Sequence, residues 1–179
     1  MQVLSRNGGR LVAGLLAGAA LATLGTAAPA SAQSGFVSIK PKVAPNLDVA
    51  QGASFPLVAR DSSGISFAES WKFVPASSGH VLILNRHFKD GTTEMAMDVQ
   101  DTSTPGSPSD PGPGKAVGTS PRDGSLSQQW KVVPVAGSGT SVLINRHSER
   151  KLSFAGTGFT PAYVQSDVGL TEFIITPLG

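Results

Sequence analysis

One sequence unit occurs three times in this chain, and no other feature limits its fold as strongly. Trp71-Lys72-Phe73-Val74-Pro75 returns as Trp130-Lys131-Val132-Val133-Pro134, and in weaker form as Phe173-Ile174-Ile175-Thr176-Pro177. A second set lies between these. Val81-Leu82-Ile83-Leu84-Asn85-Arg86-His87 matches Val142-Leu143-Ile144-Asn145-Arg146-His147, with a faint first copy at Phe36-Val37-Ser38-Ile39. A third set is Leu47-Asp48-Val49, Met97-Asp98-Val99 and Leu152-Ser153-Phe154. In each unit an apolar stretch comes first, then the L-D-V-like stretch. A stretch carrying a valine (Val58, Val117, Val164) follows, and the aromatic stretch closes the unit. Self-similarity at a fixed period means one supersecondary unit used repeatedly, because a single copy cannot bury its own apolar face.

The period is regular once one insertion is set aside. Ile39 to Leu84 is 45 residues and Leu84 to Ile144 is 60. The 15 residues from Asp101 to Lys115 account for the difference. They are rich in Pro, Gly and Ser and have too few apolar groups to pack a core, so a flexible exposed loop is expected over 101–115. Each unit holds about four short runs of β-branched and aliphatic residues bounded by Gly, Pro, Asp and Ser. No helical spacing with caps accompanies them. The expectation is an all-β chain of about twelve short strands. Three such units can close around a pseudo-threefold axis and leave few free sheet edges. That architecture is the β-trefoil, with repeats at about 34–78, 79–139 and 140–179.

The first 32 residues stand apart. Arg6 and Arg10 precede an apolar run from Leu11 to Leu24, and Ala30-Ser31-Ala32 is a small-x-small cleavage pattern. These are the parts of an export signal. The run of 14 residues is shorter than the ~20 a membrane span needs. The reading is a signal peptide over 1–32 and a secreted, extracellular domain over 33–179, with no membrane partner after cleavage. Charge then changes meaning. Removing Arg6 and Arg10 leaves 12 Lys+Arg against 12 Asp+Glu in residues 33–179. A neutral domain without clustered cations lacks the footprint of a nucleic-acid binder. The chain has no cysteine, which excludes disulfides, thiolate zinc sites and a cysteine nucleophile.

Gln128-Gln129-Trp130, the Asn145-Arg146-His147-Ser148 run and the L-D-V-like segments with Asp48 and Asp98 together resemble the ricin B-type β-trefoil lectins. The resemblance covers essentially all of 34–179. It implies a non-catalytic carbohydrate-binding domain for oligo- or polysaccharides. In that family the L-D-V aspartate accepts from sugar hydroxyls, an aromatic in the following loop packs on the sugar's C–H face, and an Asn precedes the Q-x-W. Carried onto this chain, the resemblance implies sugar-site residues Asp98, Ser127 and Gln128 in the second unit, and Asp48 and Glu69 in the first. The aromatic positions hold Asp61 and Ser120, and the Asn positions hold Ala68 and Ser127. In the third unit Ser153 replaces the carboxylate, Thr171 stands near the Gln position, and Tyr163 lies one residue before the valine.

Other readings of the same residues stay open. Trp71, Trp130 and Phe173 recur in strand register, as core rings would. Gln128 is suited to bonding a turn backbone. Asp48 and Asp98 fit a turn cap as well as a hydroxyl acceptor. Asn85 and Asn145 fit strand ends. The two matching His residues follow from repetition without a metal. No nucleophile elbow, zinc-protease or phosphate-loop motif is present, so no catalysis and no cofactor are expected. With no stacking rings, sites in the millimolar range, ~4 kcal/mol, are expected. The alternative is a trefoil that has lost its sugar and binds or inhibits another secreted protein.

Overall fold

The computed structural model describes residues 35–62, 66–100, 114–157 and 162–179. The expected signal peptide and nearly all of the 101–115 loop lie outside the described residues. Among the described residues, twelve strands fall into three sets of four. The first unit holds β1 (Val37–Pro41), β2 (Leu47–Ala50), β3 (Val58–Asp61) and β4 (Trp71–Pro75). The second holds β5 (Val81–Asn85), β6 (Met95–Val99), β7 (Val117–Pro121) and β8 (Gln129–Val135). The third holds β9 (Thr140–Asn145), β10 (Lys151–Phe154), β11 (Tyr163–Ser166) and β12 (Phe173–Pro177). A short 3-10 turn precedes β4 at Phe67–Glu69 and β8 at Leu126–Gln128.

Six strands form a closed ring. β1 pairs with β4, β4 with β5, β5 with β8, β8 with β9, β9 with β12, and β12 returns to β1. The closing pair is long, running from Val37↔Pro177 to Pro41↔Phe173. Closure removes the free edges that an open sheet would expose. The remaining strands make three hairpins, β2–β3, β6–β7 and β10–β11, one per unit.

The rings that recur in sequence fill the interior. Trp71, Trp130 and Phe173 are fully buried. Both indoles also satisfy their polar edge, as buried Trp generally does. Trp71 Nε1 donates to the Val49 carbonyl at 2.8 Å, and Trp130 Nε1 donates to the Met97 carbonyl at 3.0 Å. Phe173 has no such donor. Its unit adds Tyr163, which is fully buried between Phe154 and Phe173 at ring separations of 5.4 and 6.4 Å.

These contacts fix which residues are equivalent, and the register differs from the sequence match in two places. The indole acceptors make Val49 the counterpart of Met97. Cross-unit bridges agree: Pro56↔Gly118 joins the first unit to the second and Ala116↔Val164 joins the second to the third. Gly118 and Val164 are therefore equivalent, and Pro56 corresponds to Ala116. Together with the Ala50↔Val58 and Asp98↔Gly118 pairs, this places Ala50 opposite Asp98 and Ser153 in the pseudo-threefold. Asp48 lies two residues earlier. The valine match is off by one in the middle unit, where Leu57, Val117 and Tyr163 form the buried set and Gly118 is the counterpart of Val58 and Val164.

Candidate functional site

The second unit gathers the residues expected there and hydrogen-bonds them to one another and to the β7–β8 connection. Gln128 ends its 3-10 turn with no exposure. Its Oε1 accepts from the Asp123 and Gly124 backbone N–H groups at 3.0 and 3.1 Å. Its Nε2 donates to the Pro121 carbonyl at 2.8 Å and to Ser120 Oγ at 2.9 Å, with Asp98 Oδ2 at 3.4 Å. Gln128 is thus the bracket of the β7–β8 connection. Ser120 Oγ donates to Asp98 Oδ2. Asp98 Oδ1 is buried and has no hydrogen-bond partner among the described residues. Burial pushes the Asp98 pKa above the usual carboxylate value, while hydrogen bonds from Ser120, Ser127 and Gln128 pull it back. Ser127 Oγ lies 3.0 Å from Ser125 Oγ, and the Ser127 carbonyl accepts from Asn145 Nδ2 at 2.7 Å. This cluster ties β6, β7 and the 3-10 turn together. Asp98 Oδ2 is engaged by Ser120 and Gln128, and its Oδ1 is buried.

The two first-unit candidates are not brought into that arrangement. Asp48 is 4% exposed, and its Oδ2 is ion-paired to Lys40 Nζ at 3.2 Å. Lys40 also donates to Ser62 Oγ. The position equivalent to Asp98 belongs to Ala50, which carries no acceptor. Glu69 ends the first 3-10 turn and is buried. By the cross-unit register Arg60, not Asp61, is the counterpart of Ser120. Tyr163 stands in the core and presents no face to a ligand.

An open cleft of about 930 Å³ lies between the first and second units. One wall is the segment after β2, Gln51 to Phe55, with Arg60 and the first 3-10 turn at Ser66 to Ala68. The other is His87, Lys89 and Asp90 from the β5–β6 connection, Met95 from β6, and Thr119 to Pro121 from β7. Local chemistry builds both walls. Ser66 Oγ accepts from Ala68 N–H at 3.2 Å, which caps the turn and sets Phe67 outward. Phe67 is 56% exposed, and the Arg86 guanidinium sits 4.5 Å from its ring centroid. Across the cleft, Lys89 and Thr93 exchange backbone bonds of 3.0 and 2.9 Å around a tight turn. Asp90 and Gly91 take the positive φ angles of 55° and 73° that this turn needs. The turn holds Lys89 and Asp90 against the cleft.

This wall was not expected from the repeats. Phe67 belongs to no repeat motif, and Arg60 was counted one place away. One signal was available. Leu126 stands in the second unit where Phe67 stands in the first, and it too is exposed, at 47%. An apolar residue two places before a buried Glu or Gln, in a polar turn, has no core to enter.

Comparison with known proteins places the geometry. No protein-family model matches the chain, and no curated protein matches it. Solved structures do. The designed threefold-symmetric protein ThreeFoil matches with a TM-score of 0.63 and 24% identity, over 80% of this chain and 99% of its own. The closed six-strand ring, three hairpins and this threefold counterpart decide the architecture. The fold is a β-trefoil. An exo-β-1,3-galactanase from Clostridium thermocellum matches with a TM-score of 0.61 and 18% identity, over 81% of this chain. A Polyporus squamosus lectin bound to a sialylated epitope matches with a TM-score of 0.62 and 12% identity, over 80% of this chain. The chain spans only 30% of that galactanase and 49% of that lectin. At these identities the likeness shows the fold alone.

Proposed function

We propose that this β-trefoil is a secreted, non-catalytic carbohydrate-binding module whose sugar site is the cleft between its first two units. The carrying observation is the exposed Phe67 ring on the wall of a polar cleft. A pyranose has one apolar C–H face and a rim of hydroxyls. Phe67 offers the apolar platform. Ser66, Gln51, His87 and Asp90 offer donors and acceptors for the rim. Gln51 Oε1 is buried without a partner among the described residues, and a sugar hydroxyl reaching that wall would satisfy it. The Polyporus lectin is a neighbour bound to a glycan, which supports a carbohydrate as the kind of partner. An open cleft with one ring and a few polar contacts should bind a short oligosaccharide in the millimolar range, ~4 kcal/mol. Useful retention on a polymer would come from several contacts along one chain.

Titration of the protein with xylo-, galacto- and uronate oligosaccharides, followed by NMR shifts of the two Trp and the Phe67 region, tests the reading. Phe67→Ala should weaken binding at least about fivefold, the loss of one ring–sugar contact of roughly 1 kcal/mol. Saturable binding that Phe67→Ala leaves unchanged would move the site elsewhere. A second reading, recognition of another secreted protein, has its own observation: Ala50, the Asp98 engaged by Ser120 and Gln128, and Ser153 leave no unit with a free carboxylate at the expected place. Absence of any glycan binding, with a protein captured from culture supernatant through the cleft, would favour it.

A further inference from the structure

The cleft is not electrically neutral, although the domain is. Residues 33–179 carry 12 cations and 12 acids. Four cations elsewhere on the described surface meet carboxylates: Lys40 with Asp48, Lys42 with Glu172, Arg122 with Glu94 and Arg150 with Asp167, all within 3.3 Å. None of these pairs lies in the cleft. Arg60 and Lys89 both line it, both are exposed, and neither has an ion-pair partner among the described residues. His87 joins them on the lining, and Arg86 stands behind Phe67. Asp90 is the one acid on the lining. Two full positive charges from opposite walls thus meet one negative charge around an exposed ring.

We infer that the cleft selects sugars bearing an anionic group, a uronate carboxylate or a sulfate ester, seated between Arg60 and Lys89 while the pyranose packs on Phe67. This rests on the sugar-site reading above and sharpens it to a substrate class. Both anions present oxygens that a guanidinium can hold through two parallel hydrogen bonds, and an ammonium can hold as a point charge. A concave wall concentrates that field, and the remainder of the neutral domain adds no long-range attraction of its own. The preference is therefore local. It belongs to residues on two different units and depends on the trefoil bringing β3 and the β5–β6 turn face to face.

The test measures binding of the secreted chain to four polymers at low and at physiological salt: polygalacturonate, dextran sulfate, neutral xylan, and single-stranded DNA. The expected result is at least about fivefold tighter binding to one or both charged polysaccharides than to xylan, the difference narrowing with salt. Whichever of the two anionic polymers binds tighter assigns the group as carboxylate or sulfate. Arg60→Glu combined with Lys89→Glu should bring the charged-to-neutral ratio down to about one. Lys131→Glu, an exposed charge change on β8 away from the cleft, should leave the ratio as it is. A ratio near one in the native chain, with Phe67→Ala still weakening every polysaccharide, overturns the charge inference and leaves the sugar site standing. Binding to no polysaccharide overturns both. DNA held as tightly as dextran sulfate, and released by the same double variant, overturns the inference by showing an anion surface indifferent to sugar.

Discussion

Asp98 is the residue whose environment says most about its role. Its carboxylate accepts from Ser120 and faces the Gln128 amide, and its other oxygen is buried without a partner. Burial is the dominant influence and raises its pKa, so the folded protein holds that proton more tightly than the unfolded chain does. The consequence for stability has a definite sign. The contribution favours folding below the ordinary carboxylate value of about 4. It is lost as the pH rises from there through the raised folded value. Asp98→Asn keeps the shape and removes the proton equilibrium. The variant should show a flatter dependence of Tm on pH across that acidic window than the native chain does. An unchanged slope would assign the dependence to another group. A free sugar-binding carboxylate would behave differently, since solvent would keep its pKa near the ordinary value. Asp98, Ser127 and Gln128 are residue types that sequence alone assigns equally to a sugar site or to a bonded turn. Those residue types make hydrogen bonds wherever they sit, and sequence does not say whether the partner is a hydroxyl outside or a turn inside.

At the scale of strands, legibility depended on what a pattern can distinguish. The three units, their strand order and their core rings were readable because aromatic and β-branched residues recur at a fixed period. The β2 register was not. A strand repeats its facing every two residues, so sliding Leu47-Asp48-Val49 by two leaves every inward side chain inward. The hydrophobic pattern is blind to that slip. The two indole–carbonyl bonds and the cross-unit bridges reveal it. The Pro56↔Gly118 bridge also explains a residue the repeat leaves unexplained. Gly118 stands where the other units have Val58 and Val164, and a Cβ placed there would lie 1.9 Å from the Phe55 carbonyl oxygen. The obstruction is backbone, which cannot swing aside as a side chain can. Gly118→Ala should therefore cost about 3 kcal/mol in chemical denaturation. It should also disturb the cleft, because Phe55 and Thr119 on either side of the contact both line it. A loss under about 0.5 kcal/mol, the range of an ordinary surface change, would mean the two segments do not approach so closely.

For the molecule as a whole, the decisive property is closure. Each unit contributes its first and last strands to the ring, so the ring is complete only when the chain's first strand meets its last. β12 performs that closure, pairing with β1 along its whole length and with β9 at Phe173↔Ser141. It also places the fully buried Phe173 against Tyr163. A repeat array that adds unit to unit along a line would lose only its end when the last strand is removed, and its first units would stay folded. A closed ring responds differently. Removing residues 173–179 bares an edge of β1 and an edge of β9, uncovers Tyr163, and withdraws Phe173 from the common core. Since all three units share that core, no unit retains a complete apolar contact set. The truncated chain should lose its cooperative unfolding transition and its near-ultraviolet Trp signal together, while gaining binding of a hydrophobic dye. The Trp signal is the informative part. Trp71 and Trp130 lie in units one and two, outside the deleted segment, so their environments change only if closure is what holds them. Survival of a sharp transition with both Trp signals native would show that the first two units stand without the third, and would make the threefold arrangement additive, not mutual.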